Sequence, residues 1–104
     1  MAWAVACRSS EVRNGAIKRC RLDNGDPLAL TRLNTGDAAA FHNSCPHFKG
    51  PLGSGKLHAD SIICPWHFFR FDLLTGKAVG AGASIMKLKL YSVREKDGDV
   101  LIEV

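Results

Sequence analysis

The sequence predicts an all-β protein, with an antiparallel sandwich or barrel-like base that carries an inserted segment. Three observations point there. Turn signals recur along all 104 residues, at Asn14-Gly15, Asp23-Asn24-Gly25-Asp26, Asn34-Thr35-Gly36-Asp37, Thr75-Gly76 and Asp97-Gly98-Asp99. Short strand-like runs fill the intervals, at the spacing of a sandwich or barrel. No stretch holds a helical period, and Ser9 to Asn14 offers one turn of helix at most.

Taken in order, the runs are residues 2–6, 16–22, 28–33, 38–42, 61–64, 68–72, 85–93 and 100–104. Residues 28–33 and 38–42 are nearly continuous in apolar side chains, which suits a strand buried on both faces. In residues 85–93, Met86, Leu88 and Leu90 alternate with Lys87 and Lys89, which suits a strand with one wet face. A chain of this length forms one domain, residues 1–104. Residues 1–40 and 84–104 are expected to make the base, and about 41–80 the insertion.

Composition narrows the function. Fourteen Lys and Arg against ten Asp and Glu give a net charge of +4. The basic residues are scattered, without a basic aromatic platform or a helix-turn-helix, so nucleic acid is not the expected partner. No apolar run approaches a membrane span, and residues 1–10 lack the basic leader and long apolar core of a signal peptide. A soluble cytoplasmic protein is expected. Cys7 and Cys20 fall in the base and read as small buried hydrophobes. In a reducing compartment no disulfide is expected between them.

The chemistry concentrates in two runs, Cys45-Pro46-His47 and Cys64-Pro65-Trp66-His67, which place one cysteine and one histidine on each of two loops. Thiolate suits zinc or clustered iron, and imidazole suits iron, zinc and copper. A structural zinc site usually pairs like ligands in sequence, C-x₂₋₄-C followed by H-x₃₋₅-H. The mixed C-x-H and C-x-x-H pairs fit better a two-iron site with a cysteine end and a histidine end. A zinc-bearing interaction module stays open as the alternative of another class.

This pattern resembles the Rieske iron–sulfur family. The likeness extends to Leu52 and Gly55, which complete C-x-H-x₄-L-x₂-G after Cys45 and His47. It continues through Phe68-Phe69-Arg70-Phe71-Asp72 to Thr75-Gly76. It implies the Rieske fold and one [2Fe–2S] cluster, one iron held by Cys45 and Cys64 and the other by His47 and His67. His42 and His58 then remain as ordinary polar residues, too few for a second mononuclear iron site. The oxidised cluster core and its two thiolates cancel in charge, so the chain stays basic. Lys49, Lys56 and Arg70 flank the loops and are candidates to steer the cluster tip toward an acidic partner.

Departures from the family pattern are informative. High-potential relatives add a disulfide between the loops, where this chain has Gly50 and Trp66. They also direct serine and tyrosine hydroxyls at the cluster, where this chain has Phe69 and Phe71. Such hydrogen bonds stabilise the reduced state, so their loss places the expected potential near the bottom of the Rieske range, about −150 mV. The segment 79–84 falls where a proline-rich covering loop is usual, yet holds Gly80 and Gly82 and no proline. The resemblance implies a non-enzymatic electron carrier, the ferredoxin of an aromatic-ring oxygenase. It would be fed by a flavin-dependent NAD(P)H reductase and would dock transiently on a terminal oxygenase. The small subunit of an assimilatory nitrite reductase is a second reading, since Cys64-Pro65-Trp66-His67 and Arg70-Phe71-Asp72 resemble that family too.

Overall fold

Glycine- and aspartate-bearing turns fold the chain into antiparallel hairpins, and the hairpins stack as three sheets. The computed structural model describes residues 2–44, 52–65, 70–79 and 87–104. Its strands are β1 (Trp3–Arg8), β2 (Lys18–Arg21), β3 (Pro27–Arg32), β4 (Ala38–His42), β5 (Lys56–His58), β6 (Ser61–Ile63), β7 (Arg70–Asp72), β8 (Ala78–Val79), β9 (Leu90–Tyr91), β10 (Val93–Lys96) and β11 (Asp99–Glu103). Short 3₁₀ turns occupy Ser9–Glu11 and Leu52–Ser54. The terminal sheet has the order β1-β11-β10, the central sheet β2-β3-β4-β9 and the ligand-side sheet β5-β6-β7-β8. The expected all-β antiparallel architecture is observed.

Two turns of the central sheet use one device twice. In Leu22-Asp23-Asn24-Gly25-Asp26, the Leu22 N–H donates to Asp26 O at 3.0 Å and the Gly25 N–H to Leu22 O at 2.9 Å. Leu33-Asn34-Thr35-Gly36-Asp37 repeats both bonds, at 2.8 and 2.9 Å. The glycines stand at φ +94° and +96°, the left-handed conformation that closes a three-residue hairpin loop. At the other end, Asp97 and Gly98 both take positive φ in a two-residue turn, and Lys96 pairs with Asp99.

The central sheet is buried on both faces. Ala29 and Phe41 pack with Leu52, Ile62 and Phe71 of the ligand side. Leu28, Leu30 and Ala40, the alternate residues, pack with Val100 and Ile102 of the terminal sheet. Period-two alternation thus sends one set of side chains to each neighbouring layer. This is why β3 buries four residues in succession. Burying a side chain as large as Phe41 contributes about 1.5–3 kcal/mol. Among the described residues the one buried polar residue, Thr31, is satisfied by Ala16 O at 2.7 Å.

The run 85–93 is not one strand. Lys87 makes only an isolated bridge, β9 covers two residues of the central sheet, and β10 belongs to the terminal sheet. The chain changes sheet at Ser92. Period two persists across the break, with Leu88 buried between exposed Lys87 and Lys89. The run 16–22 shortens to β2, because residue 16 is a turn acceptor for Thr31. Strands β5 and β8 had no sequence counterpart. The covering-loop residues 80–84, with Gly80 and Gly82, lie outside the described residues.

Arg32 ties the layers at one corner. Its guanidinium donates to both Glu95 carboxylate oxygens, at 2.9 and 3.0 Å, and to Gly36 O, Ser9 O and, through Nε, Val12 O. The two-pronged bond from Arg32 holds the Glu95 carboxyl below the usual carboxylate range.

Candidate metal centre

Of the four expected ligands, Cys64 is described, while Cys45, His47 and His67 lie outside the described residues. Cys64 directly follows β6, and Ile63 pairs with Arg70 at the start of β7. The second ligand loop is therefore the closing loop of the β6–β7 hairpin. The first departs after Ser44, beyond the end of β4, and returns at Leu52.

The roots of both loops meet. Asn43 Oδ1 accepts from the Gly53 N–H, joining the outgoing and returning ends of the first loop. The Asn43 N–H donates to Pro27 O at 3.1 Å, fixing that staple to β3. Leu52 is fully buried against the central sheet. Gly55 lies so close to β6 that a Cβ there would overlap the carbonyl oxygen of Ile63, the residue before Cys64. A glycine in this place brings the first loop's root onto the second's. Leu52 and Gly55, visible as motif positions, thus acquire structural reasons. Asn43 escaped the sequence reading, because a polar residue beside a ligand loop has no periodic signature.

Cys64 has no solvent exposure and shares an apolar cluster with Leu52, Ile62 and Phe71. A buried sulfur in this position would serve as a soft ligand to a ferric iron of the cluster. The residues present therefore fit the cysteine end of an iron–sulfur cluster. Among the described residues no group of three metal-ligating side chains converges. His42 is half-buried, with Nδ1 3.4 Å from Tyr91 Oη, and His58 is exposed at the end of β5. Lys56 is exposed and Arg70 half-exposed, whereas Lys49, Gly50, Trp66, Phe68 and Phe69 lie outside the described residues.

Cys7 and Cys20 belong to the other apolar cluster, on the terminal-sheet side. Burial raises both thiols above their ordinary range, and their mutual repulsion raises Cys7 further. They are free thiols, and Cys64 is free of any disulfide too. Among the described residues no helix is long and apolar enough to cross a membrane.

The Rieske [2Fe–2S] domain model matches residues 2–92. Ferredoxin CarAc of Metapseudomonas resinovorans is 31% identical over 101 residues, spanning 96% of this chain and 92% of that protein. The ferredoxin component of the naphthalene 1,2-dioxygenase system of Pseudomonas putida is 31% identical over 102 residues, with 98% and 95% covered. Among solved structures, the Sphingomonas yanoikuyae B1 ferredoxin matches with a TM-score of 0.89 at 27% identity, over 99% of each chain. A chain from the complex of reduced oxygenase and oxidised ferredoxin in carbazole 1,9a-dioxygenase gives 0.84 at 29% identity, over 96% of this chain and 91% of that one. A Mycobacterium tuberculosis chain described as an NADH-dependent nitrite reductase small subunit gives 0.84 at 21% identity, over 97% of this chain and 93% of that one, a likeness of fold alone. Loop roots drawn together beside a buried cysteine, and a family match over nearly the whole chain, lead to one conclusion: the chain belongs to the Rieske [2Fe–2S] domain family and takes one [2Fe–2S] cluster.

Proposed function

We propose that the chain is a low-potential, cytoplasmic electron carrier that takes single electrons from a flavin-dependent NAD(P)H reductase and passes them to a terminal aromatic-ring oxygenase, without catalysing a reaction itself. The observation that carries this reading is the near end-to-end match to ferredoxin components of dioxygenase systems. The domain is single, with a base of residues 1–40 and 84–104 and a cluster-bearing insertion of about 41–80. Cys45, His47, Cys64 and His67 hold the cluster, which supplies a reversible one-electron couple when bound. Enclosure of Cys64 supports a cysteine end turned inward, with the histidine end expected to face the partner. Lys49, Lys56 and Arg70, which flank the motif in sequence, orient an acidic partner during a brief encounter.

Phe71 is fully buried in the cluster that contains Cys64, and it brings no hydroxyl. The potential is expected near the bottom of the Rieske range, about −150 mV. Phe71→Tyr raises it if the new hydroxyl reaches a cysteine sulfur. A value for the native protein above about +100 mV refutes the low-potential assignment.

The deciding experiment is stopped-flow oxidation of the reduced holo-protein by a terminal oxygenase across a salt series. The rate should fall as salt rises, because exposed charges are screened. Charge reversal at Lys56 should slow association and leave the potential unchanged. A flat salt response with stoichiometric co-elution on a siroheme subunit overturns the carrier in favour of a nitrite-reductase-like subunit. Zinc without labile sulfide overturns both.

A further inference from the structure

Lys77 and Lys87 oppose each other across an isolated antiparallel bridge, both exposed. Directly opposed like charges destabilise a sheet. This pair cannot relax by parting the backbones. The Leu88 N–H donates to Gly76 O at 2.7 Å, and a Cβ on Gly76 would come within 2.5 Å of Leu88 O. Lys89 points the same way as Lys87, since buried Leu88 separates them. Its ammonium is held 5.0 Å from the centre of the Tyr91 ring.

No carboxylate forms an ion pair with this trio. All ten acidic residues lie in the described part of the chain, and the ion pairs there are Arg8–Asp99, Lys18–Glu11 and Arg32–Glu95. Asp72 is the cross-strand neighbour of Lys77, its N–H donating to Lys77 O at 3.0 Å, but its carboxylate accepts from the Leu74 N–H at 2.7 Å. Asp26 and Glu103 line a groove together with Lys89 and form no ion pair with it. A local rule broken without compensation marks a site kept for something other than stability.

We propose that Lys77, Lys87 and Lys89 form a second cationic docking face, which receives the carboxylate-rich surface of a protein redox partner. The face begins a diagonal step below the tip rim. Arg70 pairs with Val79 at one end of the β7–β8 ladder, and Lys77 lies beyond its other end. One half-buried ring, Tyr91, accompanies the three lysines, too little stacking surface for a nucleic acid, so an acidic protein suits them better. Only the partner's being a redox protein rests on the carrier reading above.

The first test uses ¹⁵N-labelled holo-protein titrated with poly-L-glutamate at low ionic strength. Amides of Lys77, Ala78, Leu88 and Lys89 should shift, and added salt should reverse the shift. Lys87→Glu with Lys89→Glu should abolish these shifts, while Lys96→Glu on the terminal sheet should leave them. Shifts that survive the double charge reversal overturn the proposal. Lys87→Glu alone should raise the melting temperature by about 1–5 °C, by turning a like pair into an opposite one. The same variant should slow electron transfer to the terminal oxygenase at least threefold, with its potential unchanged. A more stable variant with an unaltered rate overturns the docking role. Should the native protein pass no electrons to that oxygenase, the carrier reading fails, and the poly-L-glutamate titration still decides whether this face binds acidic chains.

Discussion

The central and ligand-side sheets are both antiparallel, but they are held together differently. Three strands of the central sheet run for four to six residues, and apolar side chains fill both of its faces. Strands of the ligand-side sheet run for two or three residues. They share one apolar cluster with the central sheet, through Leu52, Ile62, Phe71 and Leu73, and a few close approaches seat their ends. Gly55 presses on Ile63, the Gly53 N–H bonds Asn43, and the Leu73 N–H donates to Asp60 O at 2.9 Å. Distributed packing tolerates the loss of one contact better than a few close approaches do. The central sheet is therefore the part expected to keep its form without the cluster, and the ligand side the part that needs it.

The strongest challenge to that contrast is Cys64→Ser. Iron and labile sulfide should fall to background, and the rhombic Rieske EPR signal should vanish. Amide exchange should then quicken throughout β5–β8, while β3 and β11 remain protected. A variant retaining the Rieske signal rules out Cys64 as a ligand, and equal loss of protection in all three sheets removes the contrast.

A pair of glycine substitutions sharpens it. Gly55→Ala forces the first loop's root off β6 and should cost about 1–3 kcal/mol, with reduced iron content. Gly25→Ala meets open space, but it strains a residue at φ +94°, and should cost about 1 kcal/mol with normal iron content. Urea unfolding and iron analysis of the two variants provide the check. Equal iron contents would show that the close approach at Gly55 is not what seats the loops.

The smallest effect belongs to the corner joining the central and terminal sheets. Glu95 has a depressed pKa in the folded state, so its stabilisation is complete above the ordinary carboxylate value and is lost as pH falls through the folded one. Because the pair is partly exposed, its contribution is about 0.5–1 kcal/mol. Glu95→Gln should lower stability by that amount near neutral pH and converge with the native protein in acid. Parallel stability curves across that range would show that the ion pair contributes nothing.

Legibility in the sequence follows the same division. The central hairpins could be read because Gly25 and Gly36 sit in turn sequences that demand positive φ, between apolar runs. Strand β5 could not, since Lys56-Leu57-His58 offers a single apolar residue and the Ala59-Asp60 turn that pairs it with β6 reaches positive φ at Ala59 without a glycine to signal it. The run 85–93 misled because alternation reports which face is buried, not which sheet the strand joins. The cofactor was legible because mixed thiolate and imidazole pairs have few other uses, whereas Cys45, His47 and His67, three of the four proposed ligands, lie outside the described residues. The lysine pair at 77 and 87 was hidden, because ten residues of sequence separate two side chains that the bridge brings face to face.

Both ends of the described chain lie on one ladder. Trp3 pairs with Glu103, and the Val104 N–H donates to Ala2 O at 2.9 Å. This ladder is in the terminal sheet, across the central sheet from the ligand side. A short peptide could join the two ends, and new termini could open at the exposed Asp23-Asn24-Gly25 turn, leaving the loop roots untouched. A circular permutant so made should still take up its cluster. For the same reason, a tag or a whole foreign domain spliced onto either end would hang from the back of the molecule, clear of the traffic at the front.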